Sequence, residues 1–145
     1  MAKVSIYLNF NRNTEEAFIF YRTVFKSEFI GEIGRMGDVP PQEGMPPLAE
    51  KDKNLVMHVA LPIMGETVLM GTDILESMGH RLVMGNNVAI NLEPDSRAEA
   101  DRLFKALGEG GVVEMEMQNM FWGDYFGSVV DRFGVRWMIN YSEKN

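Results

Sequence analysis

Two histidines, His58 and His80, are the side chains of this sequence whose ordinary chemistry includes proton transfer near neutral pH. His58 falls in residues 54–61, a run that predicts a strand, and it is the best candidate for a catalytic acid or base. The competing interpretation is a structural histidine satisfied within the fold. His80 follows a glycine between two halves of the chain, where we expect it in solvent. Since the histidines lack ligand spacing and the chain has no cysteine, the sequence predicts no metal site.

Further side chains are candidates for ligand contact because of where alternation places them. Arg136 and Met138 fall on the face of the last strand that Trp137 does not occupy. Arg136 would hold an anionic group or, with nearly equal weight, pair with Glu114 or Glu116 on a neighbouring strand. Trp122 falls in a turn, where its indole would form an aromatic wall. The full set of predicted ligand contacts is Tyr7, Asn9, Trp122, Tyr125, Arg136 and Met138.

Composition limits the classes of protein to consider. The 145 residues fit one domain, 1–145, and a net charge of −7 argues against nucleic acid and anionic membranes as partners. No run approaches the ~20 apolar residues of a membrane span, and the short polar start is not a signal peptide. We therefore expect a cytoplasmic protein. Twelve methionines, three of them at Met115, Met117 and Met120, indicate a pliable core or an adaptable apolar pocket.

The elements that must position these side chains occur twice. Val4–Phe10 alternates as a half-buried strand does, and Asn87–Leu92 repeats the alternation 82 residues later. A capping box of Asn13 and Glu16 predicts a helix over 13–25, and Ser96 with Glu99 predicts a second helix that Gly108 ends.

Three strand-like runs follow each predicted helix. In the first half they are Glu28–Ile33, Asn54–Leu61 and Glu66–Gly71, and in the second Val112–Met117, Tyr125–Asp131 and Val135–Tyr141. Each half is therefore β-α-β-β-β, with module 1 at about 1–73, a linker at about 74–85 and module 2 at about 86–145. The predicted fold class is α+β, a curved mixed sheet from two βαβββ modules with helices on its outer face. The proline-rich segment 34–53 is left without predicted structure.

The two faces of the first strand of each module should differ. The apolar residues Ile6, Leu8, Phe10, Val88, Ile90 and Leu92 are expected to pack against the helices. Their polar neighbours, Ser5, Tyr7, Asn9, Asn87 and Asn91, then line the opposite face. A sheet with such a polar-lined inner face is a natural ligand trough.

The C-terminal run carries a family resemblance. Phe121-Trp122, Phe126-Gly127 and Asp131 to Asn140 (Asp-Arg-Phe-Gly-Val-Arg-Trp-Met-Ile-Asn) match the signature of the PhnB-like branch of the vicinal-oxygen-chelate (glyoxalase/bleomycin-resistance) superfamily. Tyr7 to Phe10 and the stretch around His58 resemble its N-terminal and middle patterns. The resemblance implies two βαβββ modules, a homodimer, and functions that range from metal-dependent lyases, isomerases and dioxygenases to non-catalytic drug-binding proteins.

The metal positions of that superfamily carry over onto residues that are poor ligands. They fall on Ser5, Leu69 or Met70, Asn87 and Met138, none of which is an imidazole or a carboxylate. The methyltransferase label that some PhnB-like proteins bear has no support in a glycine-rich nucleotide loop here.

Three classes of function therefore stay open. The first is a small-molecule-binding protein, homodimeric and without a cofactor. The alternative is a glyoxalase-like lyase, isomerase or dioxygenase-type enzyme with a relocated or metal-free site around His58. A third is a dimer whose trough is unused.

Overall fold

The computed structural model describes residues 1–143, which divide into two compact units, Met1–Val83 and a second that begins at Met84. Strands and helices are labelled in chain order. The first unit contains β1 (Ile6–Phe10), α1 (Thr14–Phe25), β2 (Gly34–Arg35), β3 (Val56–Pro62) and β4 (Val68–Asp73). The second contains β5 (Ile90–Leu92), α2 (Arg97–Gly108), β6 (Val112–Asn119), β7 (Asp124–Val130) and β8 (Arg136–Ser142). Each unit is thus βαβββ, as the sequence predicts.

The two sheets share one topology. Their strand orders are β1-β4-β3-β2 and β5-β8-β7-β6, and the first strand of each unit pairs parallel with the last. The other pairs are antiparallel. The predicted α+β class and its duplication are confirmed, because the two halves have the same strand order around one helix each.

Each unit has its own apolar core between the helix and one face of the sheet. In the first unit Phe18 and Tyr21 of α1 are fully buried against β3 and β4. In the second, Leu103 and Leu107 of α2 are buried with Trp137 of β8. The buried positions in each helix recur at spacings of three and four, which is the stripe that the sequence predicts. Neither helix within residues 1–143 is long and apolar enough to cross a membrane.

The first helix begins differently from its prediction. The Asn13 side chain makes no capping hydrogen bond. The buried Asp73 carboxylate at the end of β4 instead accepts hydrogen bonds from the Thr14 backbone N–H (3.1 Å), the Thr14 hydroxyl (2.7 Å) and the Val56 N–H (2.8 Å). A carboxylate at this position satisfies one of the unpaired N–H groups of the first turn and complements the helix dipole. At α2 the predicted Ser96 cap is present, since its hydroxyl accepts from the Glu99 N–H at 3.0 Å.

Two expected strand segments differ from the structure. The run 28–33 is not a strand, because Gly31 has φ +69° and breaks the extended backbone; Ile30 still donates its N–H to the Ala60 carbonyl, at 2.9 Å. The prediction that Val88 packs against a helix is wrong, because β5 starts two residues later and Val88 is exposed. Gly65 (φ +59°) and Gly134 (φ +91°) lie in the turns before β4 and β8.

Candidate functional site

The Tyr7 hydroxyl lies 3.1 Å from Nδ1 of His58, and their ring centroids are 5.9 Å apart. Register explains the contact. Tyr7 of β1 is opposite Met70 of β4, and Met70 is opposite Ala60 of β3, so these three side chains lie on one face of the sheet. His58 lies on the same face, because it precedes Ala60 by two residues in β3. Gly71 lies on the other face, where a Cβ would meet Phe18 of α1. Tyr7 and His58 therefore lie on the face of the sheet that α1 does not cover.

We call this surface the Tyr7 face; it consists of Tyr7, Asn9, His58, Ala60, Met70 and Thr72. Tyr7 is 47% exposed, and His58, Met70 and Thr72 are half-buried. The Thr72 hydroxyl donates a hydrogen bond to the Val56 carbonyl at 3.2 Å. The face thus places one hydroxyl–imidazole pair and one amide beside the half-buried Met70, while Ala60 is buried. Such a combination suits a molecule with an apolar body and a polar group.

The strand beside His58 ends in an ion pair. Gly34 of β2 is opposite His58, and the next residue, Arg35, binds both carboxylate oxygens of Glu15 in α1, at 2.7 and 3.0 Å. These hydrogen bonds, and secondarily the charge of Arg35, lower the pKa of Glu15. The same hydrogen bonds raise the pKa of Arg35. The guanidinium also donates to the Asn54 carbonyl at 3.1 Å, so it joins β2 to α1 and to the start of β3.

The second unit places Arg136 and Met138 on one face of β8, opposite Val130 and Ser128 of β7. Nη2 of Arg136 lies 2.6 Å from a carboxylate oxygen of Glu114 on β6. Of the two interpretations of Arg136 given by the sequence, the cross-strand pair with Glu114 is therefore present. Its positive charge is already compensated, which reduces its attraction for an anionic ligand.

Tyr125 lies on the other face of the same sheet. It is opposite Tyr141 of β8, which lies on the face that Met138 and Asn140 do not occupy. The Tyr125 hydroxyl donates to Asp101 of α2 at 2.6 Å. The hydrogen bond to Asp101 raises the pKa of Tyr125. Arg97 of α2 stacks on its ring, with the guanidinium carbon 3.8 Å from the centroid. The structure therefore separates Tyr125 from Arg136 and Met138.

Trp122 lies in the turn between β6 and β7 and is 48% exposed. It packs edge-on against Phe121, whose ring centroid lies 4.9 Å away and which is almost fully exposed. The two aromatic residues form an exposed apolar tip on this turn. His80, the other histidine, is exposed after β4, and its Nδ1 accepts the Leu75 N–H at 3.3 Å.

The superfamily metal does not fit the residues at its positions. Leu69 is fully buried on the α1 face, Met70 lies on the opposite face, and Met138 is a thioether. Ser5 and Asn87 add a hydroxyl and an amide, which bind divalent metals weakly. Within residues 1–143, no group of three or more histidine, cysteine, aspartate or glutamate side chains is arranged to hold a metal ion.

Sequence reasoning missed a cavity of about 520 Å³ in the first unit. It lies within the segment between β2 and β3 and is bordered on one side by a short 3₁₀ turn, Glu76–Met78. The signal in the sequence was the pair of double prolines, Pro40-Pro41 and Pro46-Pro47, which line the cavity.

Comparison with known proteins gives consistent matches over the whole chain. A family model described as 3-demethylubiquinone-9 3-methyltransferase matches residues 2–140. Protein PA1353 from Pseudomonas aeruginosa is similar in structure, with 35% identity, a TM-score of 0.83 and 98% of each chain covered. The PhnB protein from Bacillus cereus is 23% identical, with a TM-score of 0.74 over 97% of this chain and 100% of that one.

A glyoxalase/bleomycin resistance protein/dioxygenase family enzyme from Burkholderia phytofirmans shares the fold at 16% identity. Its TM-score is 0.58, over 93% of this chain and 95% of that one. At this level of identity the likeness shows the fold and carries no activity with it.

Proposed function

We propose that this chain binds a small, partly apolar molecule on the Tyr7 face. The chain belongs to the family described as 3-demethylubiquinone-9 3-methyltransferase, the PhnB-like branch of the glyoxalase/bleomycin resistance/dioxygenase superfamily. Membership gives the fold and leaves the chemistry to the site. The observation that supports the proposal is the Tyr7–His58 contact of 3.1 Å on a half-exposed surface.

The chemistry of the Tyr7 face selects the class of ligand. A hydroxyl and an imidazole can each donate or accept a hydrogen bond, so the pair adapts to a carbonyl, a hydroxyl or an amine on the ligand. Met70 is half-buried and offers apolar contact beside them, and its thioether is adaptable in shape. We propose a neutral or weakly polar ring compound as the ligand, since the face presents no fixed charge.

The family description alone does not lead us to propose methyl transfer. In the common doubly wound fold, a nucleotide cofactor is held by a glycine-rich loop at a helix N-terminus, beside a parallel sheet. Each sheet of this chain has four strands with one parallel pair. The glycine-rich stretch 108–111 follows α2 and forms a turn, in which the Gly111 N–H donates to the Gly108 carbonyl at 3.0 Å.

The same contact favours a second candidate function. A histidine hydrogen-bonded to a tyrosine is a recurrent acid–base pair, because the hydroxyl orients the ring and fixes which nitrogen carries the proton. The alternative is therefore a metal-free lyase or isomerase that moves a proton at His58. An enzyme would lose turnover in His58→Gln while retaining most of its binding, and a binding protein would show no turnover to lose.

Ligand screening on matched variants tests the proposal. Compounds from a metabolite and drug library are ranked by thermal shift, and affinities of the best are measured by calorimetry. Tyr7→Phe and His58→Ala should each weaken binding about tenfold, the loss expected for a hydrogen bond of about 1.4 kcal/mol. His80→Ala and Tyr125→Phe are the matched controls and should leave affinity unchanged. Equal affinities in all four variants would place the ligand elsewhere.

We further propose that the protein acts as a homodimer in the cytoplasm. Its β6 is an edge strand on which Val112, Val113 and Met115 are exposed, and an uncovered apolar edge favours pairing with another chain. Light scattering at tens of micromolar protein, an order of magnitude at which ordinary stable dimers persist, should give twice the chain mass. A monomer at that concentration would contradict the dimer.

A further inference from the structure

The cavity of about 520 Å³ in the first unit lies apart from the Tyr7 face and shares no lining residue with it. Its floor is apolar and at least half-buried, formed by Met36, Leu48, Leu75 and Met78. Its rim is exposed and carries the two proline pairs. A volume of this size accommodates a drug-sized molecule, since ligand cavities span roughly 300–1,000 Å³.

The walls of this cavity are held open by the fold. The segment is fastened to the start of β3 by two backbone hydrogen bonds, Met36 N–H to the Leu55 carbonyl (2.8 Å) and Gly37 N–H to the Lys53 carbonyl (2.9 Å). Proline fixes its own φ near −65°, so the four rim prolines limit how far the rim can collapse into the space. A preorganised wall lowers the entropy that a ligand must overcome on binding.

A buried carboxylate fastens the far end of the same segment. Asp52 accepts hydrogen bonds from Arg12 (2.7 Å) and from Ser77 (2.7 Å), and so joins the β1–α1 turn to the 3₁₀ turn that borders the cavity. Arg12 adds a hydrogen bond to the Lys51 carbonyl at 2.8 Å. Arg12 adopts φ +70°, a conformation that is rare for a side-chain-bearing residue. Its contacts with Asp52 and Lys51 hold the β1–α1 turn in place, and the Ser77–Asp52 hydrogen bond fixes the 3₁₀ turn against the segment.

The electrostatics of the cavity select an uncharged ligand. Lys53 is its single charged lining residue, and its ammonium group lies 2.7 Å from the Glu50 carboxylate. The charge is therefore compensated, and an anion would have to compete with Glu50. Gln42 supplies an amide at the rim, while three methionines supply polarizable thioethers that adapt to flat apolar shapes.

We propose that this Pro/Met-lined cavity is a second ligand site that takes an uncharged, mostly apolar ring compound with no more than one or two polar groups. The site is independent of the Tyr7 face. It is also the place where the long segment between β2 and β3 acquires a function.

N-phenyl-1-naphthylamine, a neutral probe that fluoresces in apolar surroundings, tests the proposal on the intact chain. Titration should give saturable fluorescence with about one probe bound per chain. Met78→Trp fills the floor and should weaken probe binding at least tenfold, whereas Met64→Trp, the same change in the β3–β4 turn outside the cavity, should alter it less than twofold. Absence of saturable binding, or equal affinities in the two variants, would overturn the proposal.

Three further variants keep the test decisive. If Met78→Trp lowers the melting temperature sharply, Met36→Ala with Met78→Ala replaces it, and this double variant should weaken probe binding severalfold while the chain stays folded. Tyr7→Phe and His58→Ala should leave probe affinity unchanged, because neither residue lines the cavity. A loss of probe binding in those two variants would mean that the probe occupies the Tyr7 face, and would overturn a separate site without touching the function proposed for that face.

Discussion

Tyr7 and His58 meet across an intervening strand: β4 lies between β1 and β3, and the tyrosine hydroxyl spans it to reach Nδ1 of the histidine at 3.1 Å. The contact is exposed and joins residues that are 51 positions apart in the chain. A hydrogen bond of this kind contributes little to stability because water can replace either partner. Its consequence is an imidazole of fixed orientation.

Removing the Tyr7 hydroxyl should therefore change the tautomer populations of His58, with little effect on the free energy of unfolding. In Tyr7→Phe the two neutral tautomers redistribute, because the hydroxyl no longer favours one ring nitrogen. Long-range ¹H–¹⁵N correlation spectra should show shifted His58 nitrogens, while the free energy of unfolding changes by less than about 0.5 kcal/mol. Tyr125→Phe, which breaks a bond to Asp101, is the control and should leave the His58 nitrogens in place. Unchanged nitrogen shifts in Tyr7→Phe would show that the contact does not form in solution.

The start of α1 provides a sharp comparison between two capping candidates. Asp73→Ala removes the acceptor of three hydrogen bonds in a buried position and should cost about 3 kcal/mol, the sum of a lost cap and unsatisfied donors. Asn13→Ala should cost less than about 0.5 kcal/mol, since its side chain makes no capping bond. Urea unfolding of both variants measures the difference. The reverse ranking would mean that Asn13 caps the helix after all.

The two tryptophans should report on their environments separately. Trp137 is fully buried, and its indole N–H donates to the buried Asp131 at 2.8 Å, whereas Trp122 is 48% exposed. Trp122→Phe should leave blue-shifted emission that acrylamide quenches poorly, with little loss of stability. Trp137→Phe should leave red-shifted, readily quenched emission and cost about 1–3 kcal/mol, because Asp131 loses a buried partner. Similar quenching in the two variants would contradict the placement of both residues.

Acid should weaken the first unit through two carboxyl groups. Hydrogen bonds from Arg12 and Ser77 lower the pKa of Asp52, and those from Arg35 lower the pKa of Glu15. A carboxyl whose pKa is lower in the folded chain adds stability above its ordinary value of about 4, and this stability is lost as the pH falls through the folded pKa. Asp52→Asn should therefore lower stability at pH 7 and flatten its decline below about pH 4.

Urea unfolding of the wild-type chain and Asp52→Asn between pH 7 and about pH 2 measures this dependence. Glu43→Gln, in the same segment, is the control and should follow the wild-type curve. Parallel curves for the wild-type chain and Asp52→Asn would show that the Arg12–Asp52–Ser77 contacts do not hold the segment in solution.

The repeat and the regular elements were predictable because they depend on local patterns. Two-residue alternation located β6 to β8 to within a few residues, and the family resemblance of the C-terminal run is confirmed by the family match over residues 2–140. The strand expected at 28–33 is absent because Gly31 takes a positive φ that composition does not specify, and the short strand Gly34–Arg35 falls in the segment left without predicted structure. The partner of Arg136 was foreseen only as one of two alternatives, since alternation gives the face of a side chain and leaves open which neighbour it contacts.

The candidate site depends more heavily on contacts between distant residues. Alternation predicted the face of Tyr7, but the register of β1, β4 and β3 had to be known before His58 could be placed beside it. Asp73 took the capping role expected of Asn13 because strand β4 ends next to the helix. The cavity at the proline pairs lies in a segment that Asp52 joins to two separate turns through hydrogen bonds with Arg12 and Ser77. No local sequence pattern predicts these contacts.

Gly71 is a further position whose residue type is set by a distant neighbour. It lies in β4 beneath α1, and a Cβ there would lie 2.9 Å from Cζ of Phe18 and closer still to Cε1. Because the Phe18 ring is fully buried, it cannot move aside, and Gly71→Ala should cost about 1–3 kcal/mol by overpacking. Gly85→Ala is the control, since its Cβ would come no closer than 3.5 Å to the Asn87 side chain, and its effect should stay within about 0.5 kcal/mol.

A compensating change separates overpacking from a general intolerance of alanine in β4. Phe18→Leu shortens the ring side chain and alone should destabilise the unit, because it leaves unfilled space in the core. Combined with Gly71→Ala, it makes room for the added methyl group, so the double variant should be more stable than the sum of the two single losses by about 1 kcal/mol or more. Denaturant unfolding of the four chains gives this coupling energy directly. Simple additivity would mean that the Phe18 ring does not press on Gly71, and that α1 packs on the sheet through its other buried residues.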